Sequence, residues 1–213
     1  RDTDARNNLW RAVAYACHPD AWGVQIVFDN QVILGTRARK TRTKSFNAFS
    51  SIDYPETAMF RDRRLIQFLQ RPAEYTHAVF STALDPNVFV LRLVPGMRAD
   101  IIPMLEGRYR ALVLESFGVG GLPGGDDGAM FAAVRDWCGA GHLAVFTTQV
   151  PHEGSDLAVY EVGRAAKALP GVLEAHDMTP EATAVKLMWV LGQTTDRAEA
   201  EKLFLTPVQW DIL

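Results

Sequence analysis

Hydrophobic and polar positions in the first part of the chain follow a helical spacing and then short alternating runs. The helical spacing covers 9–17, where a following proline stops it because that residue cannot continue the hydrogen-bond ladder. Alternating runs over 23–28 and 31–34, joined by an Asp-Asn turn signal, predict a β-hairpin. The stretch 45–76 has weak periodicity and is predicted as loops with short strands.

Further along the chain, apolar runs alternate with helical patterns. Strands are predicted at 89–94, 111–116 and 143–148, and helices at about 98–106, 128–139 and 160–168. Thr179, Pro180 and Glu181 then begin a long amphipathic helix, as its cap, its first residue and an acid in its positive first turn. This alternation predicts a parallel sheet with helices on both faces.

These patterns divide the α/β chain into parts of unequal completeness. Residues 1–76 hold too little regular structure to bury a core of their own, so we interpret them as the C-terminal part of a larger N-terminal α/β domain. Residues 77–109 are predicted as a linker with the first strand and helix of a second domain. Residues 110–213 are predicted as a smaller C-terminal α/β domain with a parallel sheet. Because the first residue is Arg1, we expect a piece of a longer protein.

Composition restricts the class of protein. The chain has 213 residues, 48% of them hydrophobic, with a formal net charge of −3, which excludes a disordered chain and gives no support to nucleic-acid binding. The sequence has no apolar stretch of membrane-spanning length and no signal peptide, so we expect a soluble, cytoplasmic protein without a membrane partner. Cys17 and Cys138 are too few and too distant for a disulfide scaffold and are expected to be reduced and buried.

Two segments have the composition of a functional site. The basic segment 37–44 is open to three interpretations: contact with phosphate or nucleic acid, a solvated strand edge, or a lysine held to activate a nucleophile. The glycine-rich segment 118–125 lies between a strand and a helix but lacks the spacing of a nucleotide-binding loop, so it predicts only the close approach of a ligand or a neighbouring subunit. The five histidines lack metal-ligand spacing, so no metal and no cofactor are expected.

An ordered set of short motifs extends along the chain. The motifs lie at 4–9, 37–41, 117–123, 149–154, 177–182 and 186–189. Together they resemble the bacterial L-asparaginase family, most closely its cytoplasmic type I form. The resemblance implies a large N-terminal and a smaller C-terminal α/β domain, and a tight dimer or tetramer with active sites between subunits. It also implies hydrolysis of L-asparagine to L-aspartate and ammonia.

The resemblance also implies a division of the catalytic residues. The family uses a threonine nucleophile that is supported by a second threonine, an aspartate and a lysine. Lys40 stands where the family has that lysine, so we expect it to act in the proton relay that a threonine hydroxyl requires. The T-G-G-T and H-G-T-D segments that carry the other groups do not occur in this sequence. We therefore expect this chain to be the C-terminal two-thirds of the enzyme, partnered by the N-terminal segment of the same protein.

Gly121 and Glu153 are the expected substrate-binding residues. Many family members have asparagine where Gly121 stands, reaching the neighbouring subunit's substrate site, and Glu153 is expected to supply a compensating charge. Two alternatives remain open. One is the ammonia-releasing, asparaginase-like subunit of a tRNA-dependent amidotransferase, and the other is a non-catalytic fragment that retains the fold. Gly121 favours the non-catalytic fragment slightly, whereas Lys40 in its motif argues against it.

Overall fold

A computed structural model of the chain describes residues 3–73, 79–123 and 128–213. The chain divides into two compact units, Arg1–Ser81 and Thr82–Leu213, which we call the N-terminal unit and the C-terminal unit. Among the described residues, no helix is both long enough and apolar enough to cross a bilayer.

The N-terminal unit combines one helix with short antiparallel strands. Its elements are α1 (Ala5–Ala16), β1 (Gln25–Phe28), β2 (Gln31–Leu34), β3 (Ala38–Lys40), β4 (Phe49–Ser51), β5 (Ala58–Arg61) and β6 (Arg64–Gln67). Strands β1, β2, β5 and β6 form one sheet in that order, and β3 pairs with β4. Tyr15 of α1 is buried against Val32, Ala58 and Phe60 of this sheet. The predicted helix and first hairpin are confirmed.

The hairpin of β5 and β6 was not predicted from the pattern. Its strands are joined by Asp62 and Arg63, both in the left-handed region, with φ of 48° and 66°. A two-residue turn of this kind usually carries asparagine or glycine, since those residues tolerate positive φ. An Asp-Arg pair therefore does not signal a hairpin in the sequence, and the region was predicted as loops with short strands.

The C-terminal unit is a parallel α/β sheet. Its elements are β7 (Val88–Arg92), β8 (Ala111–Ser116), α2 (Ala129–Gly139), β9 (Leu143–Thr148), α3 (Glu161–Lys167), β10 (Val172–Glu174), α4 (Pro180–Gln193) and α5 (Arg197–Leu205). The strand order is β10-β9-β8-β7, and all three pairings are parallel. The predicted parallel sheet and α/β class are confirmed.

Both faces of this sheet are buried. Val113 of β8 packs in a core with residues of α4 and α5, whereas Leu114 packs on the opposite face with residues of α2 and α3. Strands that are buried on both faces read as continuous apolar runs, which explains why β8 and β9 were visible in the sequence. The cap of α4 also forms as predicted, because the Thr179 hydroxyl oxygen accepts a hydrogen bond of 3.1 Å from the amide of Ala182.

Two predictions are wrong. The helix predicted over 98–106 is instead two single 3₁₀ turns, Ala99–Ile101 and Pro103–Leu105, because Pro103 has no amide to donate to Ala99 and the Ile102 amide bonds that carbonyl instead. Both cysteines are free, but only Cys138 is buried. Cys17 is exposed because it stands at the C-terminal cap of α1 rather than on the face that packs against the sheet.

Candidate functional site

The carboxyl ends of β8, β9 and β10 continue into three loops, 117–121, 149–157 and 175–177. We call these the carboxyl-edge loops. In open parallel sheets this edge is where ligands bind, because the loops that leave neighbouring strands meet there. The first loop contains Gly121 and the second contains Glu153.

The first carboxyl-edge loop is a tight turn closed at Gly121. The Phe117 amide donates to the Gly121 carbonyl at 2.9 Å, and the Gly121 amide donates to the Phe117 carbonyl at 2.7 Å. A Cβ atom at position 121 would lie 3.2 Å from the Phe117 carbonyl oxygen. An asparagine at this position would therefore require a shift of a few tenths of an ångström. The turn can therefore accept a side chain at position 121 after a small shift, whereas glycine fits there without any shift.

The second carboxyl-edge loop reverses direction at Glu153 and Gly154. Both residues are left-handed, with φ of 76° and 69°. A Cβ atom on Gly154 would lie 2.5 Å from the His176 carbonyl oxygen, so only glycine fits at 154. Glu153 has a side chain, and this conformation costs it about 1 kcal/mol or more, a strain that proteins concentrate at functional sites. Its side chain is exposed.

Hydrogen bonds join the three carboxyl-edge loops to one another. The Ser155 amide donates to the His176 carbonyl at 2.8 Å, and the Asp156 amide donates to the Val119 carbonyl at 2.8 Å. The Thr148 hydroxyl donates to the Gly118 carbonyl at 2.5 Å. The structure therefore places the loops that carry Gly121 and Glu153 side by side.

Lys40 lies in the N-terminal unit, at the end of β3, where it is paired with Phe49 of β4. Its side chain is exposed. Beyond it, the Thr41 amide donates to the Ala48 carbonyl at 2.9 Å, and the Thr41 and Ser50 hydroxyls are 2.8 Å apart. The end of the strand is thus held by several polar contacts, while the Lys40 ammonium remains accessible.

The basic segment around Lys40 is not a uniform solvated edge. Arg37 is fully buried, and its guanidinium carbon lies 5.7 Å from the centre of the Tyr54 ring. Burial raises the pKa of Tyr54, and the charge of Arg37 opposes that shift. The regular strand covers only Ala38–Lys40. Arg37 therefore anchors the start of β3, and the interpretation as a solvated edge is wrong for this residue.

Several other chemistry-bearing residues do not form sites. Burial raises the pKa of the Cys138 thiol to about 11, with nearby Arg197 acting in the opposite direction, so the reactive thiolate is scarce at neutral pH. Within the described ranges there is no group of three or more histidine, cysteine, aspartate or glutamate side chains arranged to hold a metal. Asp126 and Asp127, interpreted from the sequence as turn or helix-start acids, lie outside the described residues.

One buried acid at the carboxyl edge was missed by the sequence analysis. Glu174, at the end of β10, is only 5% exposed. One of its carboxylate oxygens accepts the Leu157 amide at 2.7 Å, and the other accepts the Lys167 ammonium at 2.9 Å. His176 Nδ1 lies 3.9 Å from the second oxygen. No sequence signal marks Glu174, because β10 is too short for a periodic pattern.

Comparisons with known proteins cover both units. The family model for "Asparaginase, N-terminal" matches residues 1–74, and the model for "Glutaminase/Asparaginase C-terminal domain" matches residues 87–204. The L-asparaginase of Thermococcus kodakarensis is 37% identical over 95% of this chain and 60% of its own length. A glutamyl-tRNA(Gln) amidotransferase subunit of Metallosphaera sedula is 33% identical over 81% of this chain and 39% of its own length.

Solved structures agree with these sequence matches. The thermostable L-asparaginase from Thermococcus kodakarensis superposes with a TM-score of 0.91 at 34% identity, covering 100% of this chain and 64% of that protein. L-asparaginase I from Vibrio cholerae has a TM-score of 0.82 at 23% identity over 99% of this chain and 62% of its own, a likeness of fold. The chain thus spans about 60% of the length of one curated relative and about 40% of the other. It belongs to the asparaginase/glutaminase family.

Proposed function

We propose that this chain is part of an enzyme that hydrolyses L-asparagine to L-aspartate and ammonia. Its threonine nucleophile would lie upstream of Arg1, and Lys40 would take part in the proton relay. The observation that carries the proposal is the presentation of Lys40, an exposed ammonium at the end of a strand whose start is anchored by fully buried Arg37. The archaeal relative named L-asparaginase, similar over 95% of the chain, supports the choice of reaction.

The role of Lys40 follows from the demands of amide hydrolysis. A threonine hydroxyl oxygen bonds to the side-chain carbonyl carbon of asparagine only as it loses its proton, and the leaving NH₂ group must gain one to depart as ammonia. Water then hydrolyses the resulting ester and releases aspartate. A lysine amine next to the hydroxyl can carry the proton between these positions once water is excluded from it. We infer that groups beyond the described residues supply that desolvation, since Lys40 is exposed among them.

We further propose that Gly121 and Glu153 line a substrate site on a neighbouring subunit. The carboxylate of Glu153 suits the α-ammonium group of asparagine, and its side chain is exposed on left-handed backbone. The turn at Gly121 would border the same site with bare backbone. This arrangement requires a homodimer or homotetramer, together with the N-terminal segment of the same protein. We also propose a cytoplasmic, type I-like enzyme.

Ammonia release from L-asparagine by the full-length protein tests the reaction. Lys40→Met should lower kcat by about 100-fold to 10,000-fold, the usual range for a general acid or base. Lys44→Met is the matched control, because it removes an exposed lysine from the same basic segment, and it should leave the rate within about twofold, as surface substitutions do. A Lys40→Met variant as active as the parent protein would refute the proposed relay.

A second candidate is the ammonia-releasing subunit of a tRNA-dependent amidotransferase. A relative named as a subunit of such an enzyme is 33% identical over 81% of this chain, and this similarity supports the second candidate. The same assay separates the two functions. Steady release of free ammonia by the purified protein alone supports an asparaginase, whereas release only after a partner subunit and charged tRNA are added supports the amidotransferase. Silence in both conditions would support the non-catalytic alternative.

A further inference from the structure

We propose that Glu174 is a positioning residue for the substrate site, and that it holds the 153–157 segment so that Glu153 can meet the α-ammonium group of the substrate. This inference rests on the proposed function, which gives Glu153 its contact with substrate. It adds a residue that does not touch substrate and that no motif in the sequence marks.

The first step of the argument is that Glu174 is committed to the second carboxyl-edge loop. Its side chain is only 4% exposed, and its two oxygens are used by the Leu157 amide at 2.7 Å and the Lys167 ammonium at 2.9 Å. A buried carboxylate is stable only when such partners replace water. The Lys167 side chain is half exposed, so the charge of Glu174 is balanced from the surface while its other oxygen fixes a loop amide.

The second step is that Leu157 is the point at which the neighbouring elements meet. Leu157 is 1% exposed. A Cβ atom on Gly120 would lie 2.5 Å from Leu157 Cδ2, and one on Gly163 would lie 2.4 Å from the Leu157 carbonyl oxygen. The first carboxyl-edge loop and α3 are therefore both packed against this residue. A displacement of Leu157 must be transmitted to each of them.

The third step connects Leu157 to Glu153. Between them, the Ser155 and Asp156 amides bond the His176 and Val119 carbonyls, both at 2.8 Å. Glu153 and Gly154 directly precede these two residues in the chain, and both hold left-handed conformations. Because left-handed backbone is unfavourable for glutamate, it persists only where the adjoining residues hold it in place. The hydrogen bond from the Leu157 amide to Glu174 is the buried contact that helps to hold these residues in place.

The chain offers a matched control for a purely structural carboxylate. Asp211 is 2% exposed and likewise holds a backbone amide, that of Val208 at 2.7 Å, and a lysine ammonium, that of Lys186 at 2.8 Å. The amide that it holds belongs to the C-terminal turn rather than to a carboxyl-edge loop. Replacing either acid removes one buried carboxylate, one amide acceptor and one ion pair. Only replacement of Glu174 also removes a buried hydrogen bond from the segment that carries Glu153.

The test compares two substrates in the full-length protein, L-asparagine and succinamic acid, which is asparagine without its α-amino group. The measured quantity is the ratio of kcat/KM for asparagine to kcat/KM for succinamic acid, with folding checked by circular dichroism. Glu153→Gln should lower this ratio about tenfold, the usual value of a hydrogen bond to a charged group. Glu174→Leu should lower it similarly, through the KM for asparagine. Asp211→Leu should leave it unchanged.

Two further variants keep the inference testable if Glu174→Leu does not fold. Glu174→Asp retains the charge but is one methylene shorter, so it cannot reach both Leu157 and Lys167, and it should also lower the ratio. Glu174→Gln retains an oxygen for the Leu157 amide while Lys167 turns to solvent, and it should restore the ratio to within about twofold of the parent. This rescue is not expected if only the buried charge matters.

The outcomes distinguish the inference from the function on which it rests. If Glu153→Gln lowers the ratio but folded Glu174→Leu and Glu174→Asp do not, the positioning role is wrong and the proposed substrate contact stands. The positioning role is also wrong if Asp211→Leu lowers the ratio as much as Glu174→Leu does. If Glu153→Gln leaves the ratio unchanged, the proposed substrate contact is wrong and the positioning role fails with it, although the proposed hydrolysis can still stand. If the parent protein releases no ammonia, the proposed hydrolysis itself fails.

Discussion

The buried ion pair between Lys186 and Asp211 should make the C-terminal unit strongly sensitive to a single substitution. The two side chains are 5% and 3% exposed, and Lys186 Nζ lies 2.8 Å from Asp211 Oδ2. Lys186 also donates to the Thr206 carbonyl at 2.8 Å and lies 5.6 Å from the centre of the Phe204 ring. Asp211 in turn accepts the Val208 amide. The pair therefore connects α4 to the turn that follows α5.

The loss of unfolding free energy depends on which buried charge remains after the substitution. Lys186→Met leaves the Asp211 carboxylate buried with only one amide partner, and the loss of one member of a buried pair costs about 3–5 kcal/mol of unfolding free energy. For a chain of this size that corresponds to a fall in melting temperature of roughly 6–20 °C. The double variant Lys186→Met/Asp211→Leu removes both charges and should return to within about 1–2 kcal/mol of the parent, because no uncompensated charge remains.

Urea denaturation of the parent protein, the single variants Lys186→Met and Asp211→Leu, and the double variant gives the four unfolding free energies of this double-mutant cycle.

Burial lowers the pKa of Lys186 below its ordinary value of 10.5, while Asp211 acts to raise it. The unfolded chain then binds the Lys186 proton more tightly than the folded chain does. The stability of the parent relative to Lys186→Met should therefore rise with pH between the lowered pKa and 10.5. Single variants that lose less than about 1 kcal/mol, the value of exposed pairs, would refute the account of a buried pair.

Two further predictions concern packing and thiol chemistry in the folded protein. Gly163→Ala should lower the urea midpoint by the equivalent of about 1–3 kcal/mol, because its Cβ atom would lie 2.4 Å from the Leu157 carbonyl oxygen. Gly139→Ala is the control and should not be destabilised in this way, because a Cβ atom there has no neighbouring element within 4 Å. A destabilised Gly139→Ala together with a neutral Gly163→Ala would contradict this packing. Maleimide at neutral pH should label exposed Cys17 and spare Cys138, because burial raises the pKa of the Cys138 thiol to about 11. Peptide mapping measures the two labelling rates, and equal rates would show that Cys138 is accessible.

The sequence predicted those elements whose burial leaves a periodic trace. β8 and β9 are buried on both faces and appear as continuous apolar runs, and α4 is marked by the threonine that caps it. Elements without such a trace were missed. β10 has only 3 residues and ends in a charged one, and the turn between β5 and β6 uses an Asp-Arg pair in a conformation that is usually taken by glycine or asparagine. Local pattern therefore found β7, β8 and β9 of the parallel sheet and missed the short edge strand β10.

The candidate site shows the same limit at the level of single side chains. Lys40, Gly121 and Glu153 came from motifs, so sequence could name them, but it could not show that hydrogen bonds between neighbouring loops join the loops carrying Gly121 and Glu153. Glu174 belongs to no motif, and its importance arises only because folding brings the Leu157 amide and the Lys167 ammonium to its two oxygens.

Glu174 and Asp211 have the same type of partners, an amide and a lysine, which is the combination that makes a buried carboxylate tolerable. In the sequence both are ordinary acids, Glu174 at the end of β10 and Asp211 in the turn that follows α5. The physical difference between them lies in what the held amide supports: a loop at the carboxyl edge of the sheet in one case and a C-terminal turn in the other. Burial and hydrogen bonding alone therefore do not separate a positioning residue from a structural one, and substrate discrimination is the property that does.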